Sequence, residues 1–184
     1  MLHVSFTPFP ILKTDRLILR SIEIKDASEI FFLRSDANVL TYLDKAPEKS
    51  VDETIAFIGK VKSDIDNNDG ILWGITLKES NAVIGTICFW RLEKAHYRAE
   101  IGYALHPVQQ GKGIMDEAMK AVLQYGFETM KLHSVEANVN PANSGSIKVL
   151  EKNGFVKEAY FKENYYYDGK FLDSAIYSLL TPIK

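Results

Sequence analysis

A mixed α/β fold is what this sequence predicts, and three observations predict it. Short runs of alternating apolar residues recur along the chain. Amphipathic stretches at helical spacing lie between them. Turn residues, Asp66-Asn67-Asn68-Asp69-Gly70, Asn140-Pro141-Ala142-Asn143 and Asp168-Gly169 among them, separate the two kinds of segment. No repeat, linker or low-complexity tract interrupts the order, so one domain over residues 1–184 is expected.

Leu17 and Leu19, with Ile22 beyond, alternate with Arg16, Ile18 and Arg20 and predict a first strand. Over residues 26–34, Ala27, Ile30, Phe31 and Leu33 fall on or near one helical face, with Glu29 and Arg34 toward water. Ser50-Val51-Asp52-Glu53 is a capping-box pattern: the Ser50 hydroxyl is placed to accept a free N–H, and Glu53 to reach back. Val51, Thr54, Ile55, Ile58, Val61, Lys62 and Ile65 continue the stripe of that helix, which stops at residues 66–70. Gly59 within it costs about 1 kcal/mol against alanine.

Ile71–Leu77 and residues 83–89 are β-rich runs joined by the polar Lys78-Glu79-Ser80-Asn81, so two adjacent antiparallel strands are expected. Ile101, Tyr103 and Leu105 alternate next, and Pro107, lacking a ladder donor, stops that strand near His106. From Met115 onward, Met115, Ala118, Met119, Val122 and Phe127 lie at or near helical spacing between Asp116, Glu117, Lys120 and Gln124. Residues 133–139 alternate as a short strand. A helix follows from near Ser144, capped by Asn143 or Ser144, with Ile147 and Leu150 as its apolar edge and Asn153-Gly154 as its end. Phe155 and Val156 return toward the sheet, and residues 160–164 and 171–180 form a terminal hairpin around Asp168-Gly169, a type I′ pair.

Composition excludes several classes of function. With 46% hydrophobic and 25% charged residues in 184, the chain is long enough for a proper core. A net charge of −2 provides no field to hold a polyanion, so direct nucleic-acid binding is not expected. The single cysteine, Cys88, has no internal disulfide partner and reads as a small buried side chain in a cytoplasmic protein. No targeting signal is read in residues 1–10, and no window approaches the roughly 18 apolar residues of a membrane span. His3, His96, His106 and His133 have no metal-ligand spacing, so no metal is expected.

The chemistry concentrates between Glu100 and the helix that follows. Gly111 and Gly113 stand where the chain enters that helix, so a backbone without Cβ atoms brings N–H groups to an anion at the helix N-terminus. A phosphate-bearing ligand suits such a loop, and an ordinary tight turn would use the same glycines. The loop lacks both the Gly-Lys-Ser/Thr ending of a nucleotide P-loop and the three-glycine spacing of a dinucleotide fold.

Gln110 and Gly113 match the pyrophosphate loop of the GNAT acyltransferases, Gln/Arg, two residues, Gly, one residue, Gly/Ala, with Met115 at the small-residue position. A second stretch, Asn140-Pro141-Ala142-Asn143-Ser144-Gly145-Ser146 followed by residues 148–155, resembles that family's other cofactor-contacting segment. The two occur in the family's order and separation, and the chain is similar over most of its length to the ribosomal-protein N-acetyltransferase (RimJ/RimL-like) branch. The resemblance implies a mostly antiparallel sheet flanked by helices and splayed where acetyl-CoA binds. It implies that Gln110, Gly111, Lys112, Gly113, Ile114 and Met115 hold the pyrophosphate. The backbone from Tyr103 to Leu105 would then pair with the pantetheine arm, with the Asn143 amide holding that arm from the other side. The segment after the first helix would help form the acceptor pocket, and residues 93–98 would rim it.

Acyl transfer needs a deprotonated amine, a stabilised carbonyl oxygen and a protonated leaving thiolate. Glu100 is the candidate general base, through a water; a salt bridge with Arg98 or Arg91 is its alternative role. Ser146 is the candidate donor to the departing sulfur, with plain helix capping as its alternative. Tyr165, Tyr166 and Tyr167 stay unassigned, and His106 before Pro107 reads as structural. No nucleophile–base–orienter motif is present, so direct attack in a ternary complex is expected. The acceptor implied is a protein N-terminus. A small amine such as a polyamine, amino acid or antibiotic is the second possibility, and a non-catalytic acyl-CoA-binding module the third. A homodimer is common among similar proteins, and no stretch here marks an interface.

Overall fold

The computed structural model describes residues 1–182. In chain order its elements are strands β1 (Leu12–Lys13) and β2 (Leu17–Arg20), helices α1 (Ala27–Ser35), α2 (Ala37–Leu40) and α3 (Val51–Asp66), and strands β3 (Ile71–Leu77), β4 (Val83–Glu93) and β5 (Arg98–Leu105). Helix α4 (Ile114–Gln124), strand β6 (Ser134–Val139), helix α5 (Ser144–Lys152) and strands β7 (Val156–Tyr167) and β8 (Lys170–Leu180) complete it. The strands form one sheet in the order β1-β2-β3-β4-β5-β6-β8-β7. Every neighbouring pair is antiparallel except β5 and β6.

Alternation sorts the side chains of the central strands onto two faces. On β4, Ile87 and Phe89 are fully buried on the face that α4 covers, where Phe89 meets Gly126 and packs edge-on against Trp73 at 6.2 Å. Thr86, Cys88 and Trp90 face the other way, toward a cavity walled by α1 and α3. Helix α4 buries Ile114, Met115, Ala118, Met119, Val122 and Leu123 on one stripe, and its acidic and amide residues stay outside it.

The parallel pair is short. Arg98, Ala99 and Glu100 pair with Ser134, Val135 and Glu136, and there the ladder ends. Beyond that point β5 stays with β4 as far as Leu105, and β6 stays with β8 as far as Val139. A wedge therefore opens between Ile101–Leu105 of one strand and residues 137–139 of the other, leaving one edge of β5 without a strand partner. A bulge in β4 between Trp90 and Glu93, with Arg91 at φ +46°, adds curvature beside the closed end of the wedge.

Several elements differ from the sequence reading. The two-residue β1 precedes the strand expected to be first, and β4 and β7 extend beyond the runs that signalled them. Arg34 does not point simply to water: it pairs with Glu48 and lies 3.4 Å over the Phe57 ring, so the α1 surface is a cavity wall. Val51 and Ile55 leave the expected stripe of α3 and are exposed, because only Thr54, Ile58, Val61 and Ile65 face the sheet. Ser50 caps α3 as expected, but Glu53 reaches Lys49 N–H, one residue further back than a capping box. At the terminal hairpin Asp168 and Gly169 take φ values of +47° and +79°, as a type I′ turn requires. Among the described residues no helix is long and apolar enough to cross a membrane.

After α4 the helix widens into a π-turn, Tyr125–Thr129, that contains Gly126. A Cβ at Gly126 would lie 2.9 Å from Cζ of the fully buried Phe89 and 3.2 Å from Leu132. Gly126→Ala is expected to destabilise the protein by about 1–3 kcal/mol through overpacking, read as a lower urea midpoint with an unchanged slope.

Candidate active site

Two cavities meet at the wedge. The larger, about 780 Å³, lies on the α1–α3 face of the sheet, and the smaller, about 410 Å³, runs between the end of β5, the glycine loop and α5. Tyr103, Ala104, Asn143 and Ser146 line both. A ligand in the small cleft and another in the large cavity would touch at these residues.

The small cleft has the features of a phosphate cradle. Gly111 and Gly113 sit at φ +74° and +73°, where a side chain is strained, and Gly113 is the residue that caps α4. The N–H groups of Gly111, Lys112 and Gly113 donate to no acceptor among the described residues, and the first-turn donors of α4 add to them. Asp116 and Glu117 in that first turn would repel an anion if bare, but both are engaged. Asp116 is bonded by Lys120, Lys152 and Asn153, which hold its carboxyl near 2 against the pull of burial. Glu117 accepts from Arg16 Nε at 2.6 Å, and Arg16 also donates to Lys112 O at 2.9 Å, tying β2's approach to the loop.

Gln110, Gly111, Gly113, Ile114 and Met115 line this cleft. Met115, which breaks the small-residue pattern, turns its side chain into the core and is 6% exposed, so only its backbone need face a ligand. Lys112 instead points outward to Gln109. Leu105 lies along the same cleft at the end of the open edge of β5.

Asn143 is the cap of α5: its Oδ1 accepts from Ser146 N at 3.0 Å, and its Nδ2 donates to no acceptor among the described residues. The cap is thus Asn143, not Ser144 or Ser146. The Ser146 hydroxyl is free of capping and lies 2.6 Å from the phenol of Tyr103. Burial pushes that phenol up to about 12, so it is protonated. The sequence placed Tyr103 here for its backbone; the phenol contact was missed, because alternation alone assigns it to the apolar face.

Glu100 lines the large cavity and is 8% exposed. Burial raises its carboxyl above the ordinary value, opposed by Arg91, whose Nη1 donates at 2.9 Å, and assisted by Glu136 on the neighbouring strand. The salt bridge weighed as its alternative role is present, with Arg91 rather than Arg98; Arg98 pairs with Glu136. Ion pairing and a place in the cavity wall thus coincide in one side chain.

Other residues sort readily. Cys88 is half-buried in the cavity wall rather than in the core, with Sγ 3.5 Å from Gly102 O, and burial pushes its thiol up to about 12. His106 stacks on Phe32 at 4.3 Å and accepts from Val108 N, a structural role. Tyr165 lines the large cavity and donates to Asp44, whereas Tyr166 packs on Phe171 away from it. Residues 93–98 do not line the cavity: Tyr97 OH instead accepts from the N-terminal ammonium at 2.6 Å. Among the described residues no group of three or more His, Cys, Asp or Glu side chains is placed to hold a metal ion.

Residues 16–156 match the acetyltransferase (GNAT) domain family. The chain is 37% identical over 174 residues to the "Uncharacterized N-acetyltransferase YoaA" of Bacillus subtilis (strain 168), covering 95% of this chain and 98% of that protein. It is 27% identical over 179 residues to the ribosomal protein uS5-alanine N-acetyltransferase of Escherichia coli (strain K12), covering 93% and 91%. The crystal structure of spermidine N-acetyltransferase from Vibrio cholerae in complex with CoA and spermine aligns with a TM-score of 0.81 at 25% identity, covering 91% of this chain and 97% of that one.

Gly113→Val is expected to weaken coenzyme A binding about tenfold or more in calorimetric titration, since a β-branched residue strains the left-handed backbone at +73° that opens α4.

Proposed function

This chain belongs to the GNAT acetyltransferase family, and from that premise we propose its acceptor and the residues that carry its chemistry. It is an acetyl-CoA-dependent N-acetyltransferase. The acceptor is a protein N-terminus of the ribosomal-protein kind, acetylated by direct attack in a ternary complex. The observation that carries this reading is the meeting of the two cavities at Tyr103, Ala104, Asn143 and Ser146, with Glu100 in the wall of the larger.

The small cleft suits the cosubstrate. Unpaired N–H groups at Gly111–Gly113 and the α4 N-terminus would receive the pyrophosphate, and the open edge of β5 from Ile101 to Leu105 would receive the amides of the pantetheine arm. Asn143 Nδ2, at the cap of α5, would hold that arm from the other side. When bound, acetyl-CoA supplies the activated acetyl group.

The large cavity suits an acceptor with one amine. Its walls carry Arg34, Lys45, Lys60 and Arg91 against Asp44, Asp64 and Glu100. Asp64 is paired with Lys60 and Glu100 with Arg91, and Asp44 accepts from Tyr165. Such a lining gives a polycation no surplus of negative charge, which favours an N-terminus over a polyamine. Proton chemistry points the same way. An α-amine with a pKa of about 7.7–8.0 lies closer to the reach of a carboxylate base than an alkylammonium near 10.4.

In the reaction Glu100, through a water, takes the proton that the amine sheds as nitrogen bonds to the acetyl carbon. N–H groups on the open edge of β5 are donors for the carbonyl oxygen as charge develops. Ser146 donates to the sulfur as the C–S bond breaks.

Glu100→Gln is expected to lower turnover about 100-fold while leaving coenzyme A affinity unchanged. In the parent enzyme kcat/KM should rise with pH through a midpoint above the ordinary carboxylate value of 4.5, since the shift is upward and the base works only when ionised. The variant should lack that limb; an identical pH profile removes Glu100 as the base. A panel of peptides and small amines, read by thiol release, should show turnover on peptide N-termini. Turnover on spermidine alone, or coenzyme A binding with no turnover on any amine, would replace this acceptor assignment.

A further inference from the structure

The contact between Tyr103 and Ser146 joins two elements that the reaction must bring together, the open strand β5 and the first turn of α5. We propose that the Tyr103 phenol is a positioning residue that holds the Ser146 hydroxyl as a proton donor to the departing sulfur. The inference rests on the assignment of Ser146 made above.

The distance allows either oxygen to donate, and the relative acidity of the two hydroxyls selects the phenol. The phenol lies 2.6 Å from Ser146 Oγ and 3.5 Å from Ser146 O, so the hydroxyl is its close partner and the carbonyl is at the limit of contact. A phenol is the more acidic of the two hydroxyls and gives the stronger hydrogen bond as donor. With its oxygen accepting from Tyr103, Ser146 has its own proton left to direct elsewhere. Ser146 N–H is already held by Asn143 Oδ1 at 3.0 Å, so backbone and hydroxyl are both fixed. The unheld direction opens on the two cavities that Tyr103 and Ser146 jointly line.

The proton balance closes with water as the only further reactant. The C–S bond breaks with its electron pair going to sulfur, and sulfur takes the Ser146 proton. The phenol proton passes to Ser146 Oγ, and water in the open cavity restores the phenol. The hydroxide so formed is neutralised by the proton that Glu100 took from the amine. A phenol that stays protonated until the thiolate develops is suited to this order; one that ionised near neutrality would instead accept from Ser146 and silence it.

A double-mutant cycle tests the proposal. Tyr103→Phe keeps the ring and removes only the hydroxyl; it should lower kcat about tenfold and leave the KM for acetyl-CoA and the calorimetric affinity for coenzyme A within about twofold. In a Ser146→Ala background the same change should have less than about a twofold further effect. Equal losses in both backgrounds would show that the phenol acts independently of Ser146 and overturn the proposal. So would unchanged kcat in Tyr103→Phe when Ser146→Ala alone is impaired, leaving the Ser146 assignment intact. Full activity in Ser146→Ala would remove that assignment and this inference together.

Discussion

Three residue pairs hold the two halves of the sheet together, and the site depends on there being no more than three. Arg98, Ala99 and Glu100 are the whole of the parallel ladder between β5 and β6. Each strand is otherwise committed to an antiparallel partner on its far side, so twist accumulates and the strands diverge as soon as the ladder ends. Arg98 pairs with Glu136 across the seam and pins it at the last rung. That rung also places Glu100 and Glu136 side by side on one face, each paired with its own arginine. A longer ladder would give β5 a partner along Ile101–Leu105 and remove the open edge that borders the small cleft.

The acidic residues beside the glycine loop are offset by cationic partners. Helix α4 opens with Asp116 and Glu117, which favour its dipole but oppose an anion at the same end. The fold resolves the conflict by turning both carboxylates sideways into bonds with Lys120, Lys152, Asn153, Arg16 and Thr14. The amides of the loop keep no acceptor among the described residues. Met115, bulky where the pattern prefers a small side chain, sits harmlessly because it is part of the core stripe.

Local signals made much of this legible beforehand. Pro107 marked the end of β5, the glycines marked the loop, and Asn143-Ser144 marked the cap of α5 without deciding between the two, each through a preference that acts within a few residues. The splayed sheet was anticipated only through family resemblance, since no local pattern states how many rungs a parallel ladder has. What stayed illegible depends on distant partners. Arg34 read as solvated until Glu48 and Phe57 closed on it, and Tyr103 read as an apolar-face residue until α5, 43 residues later, brought Ser146 to its hydroxyl. Cys88 read as a small buried side chain because its neighbours are apolar, whereas alternation along β4 turns it to the face that borders the cavity.

The bond from Tyr165 on β7 to Asp44 in the loop after α2 joins two walls of the large cavity across 121 residues of sequence. Neither wall takes part in the β5–β6 seam or the glycine loop. The outer wall of the large cavity is therefore set by parts of the chain distant in sequence from the β5 residues that form its inner wall. Changes at Asp44 or Tyr165 would alter that wall without touching the glycine loop. One scaffold could in this way diversify its targets by drift at the periphery.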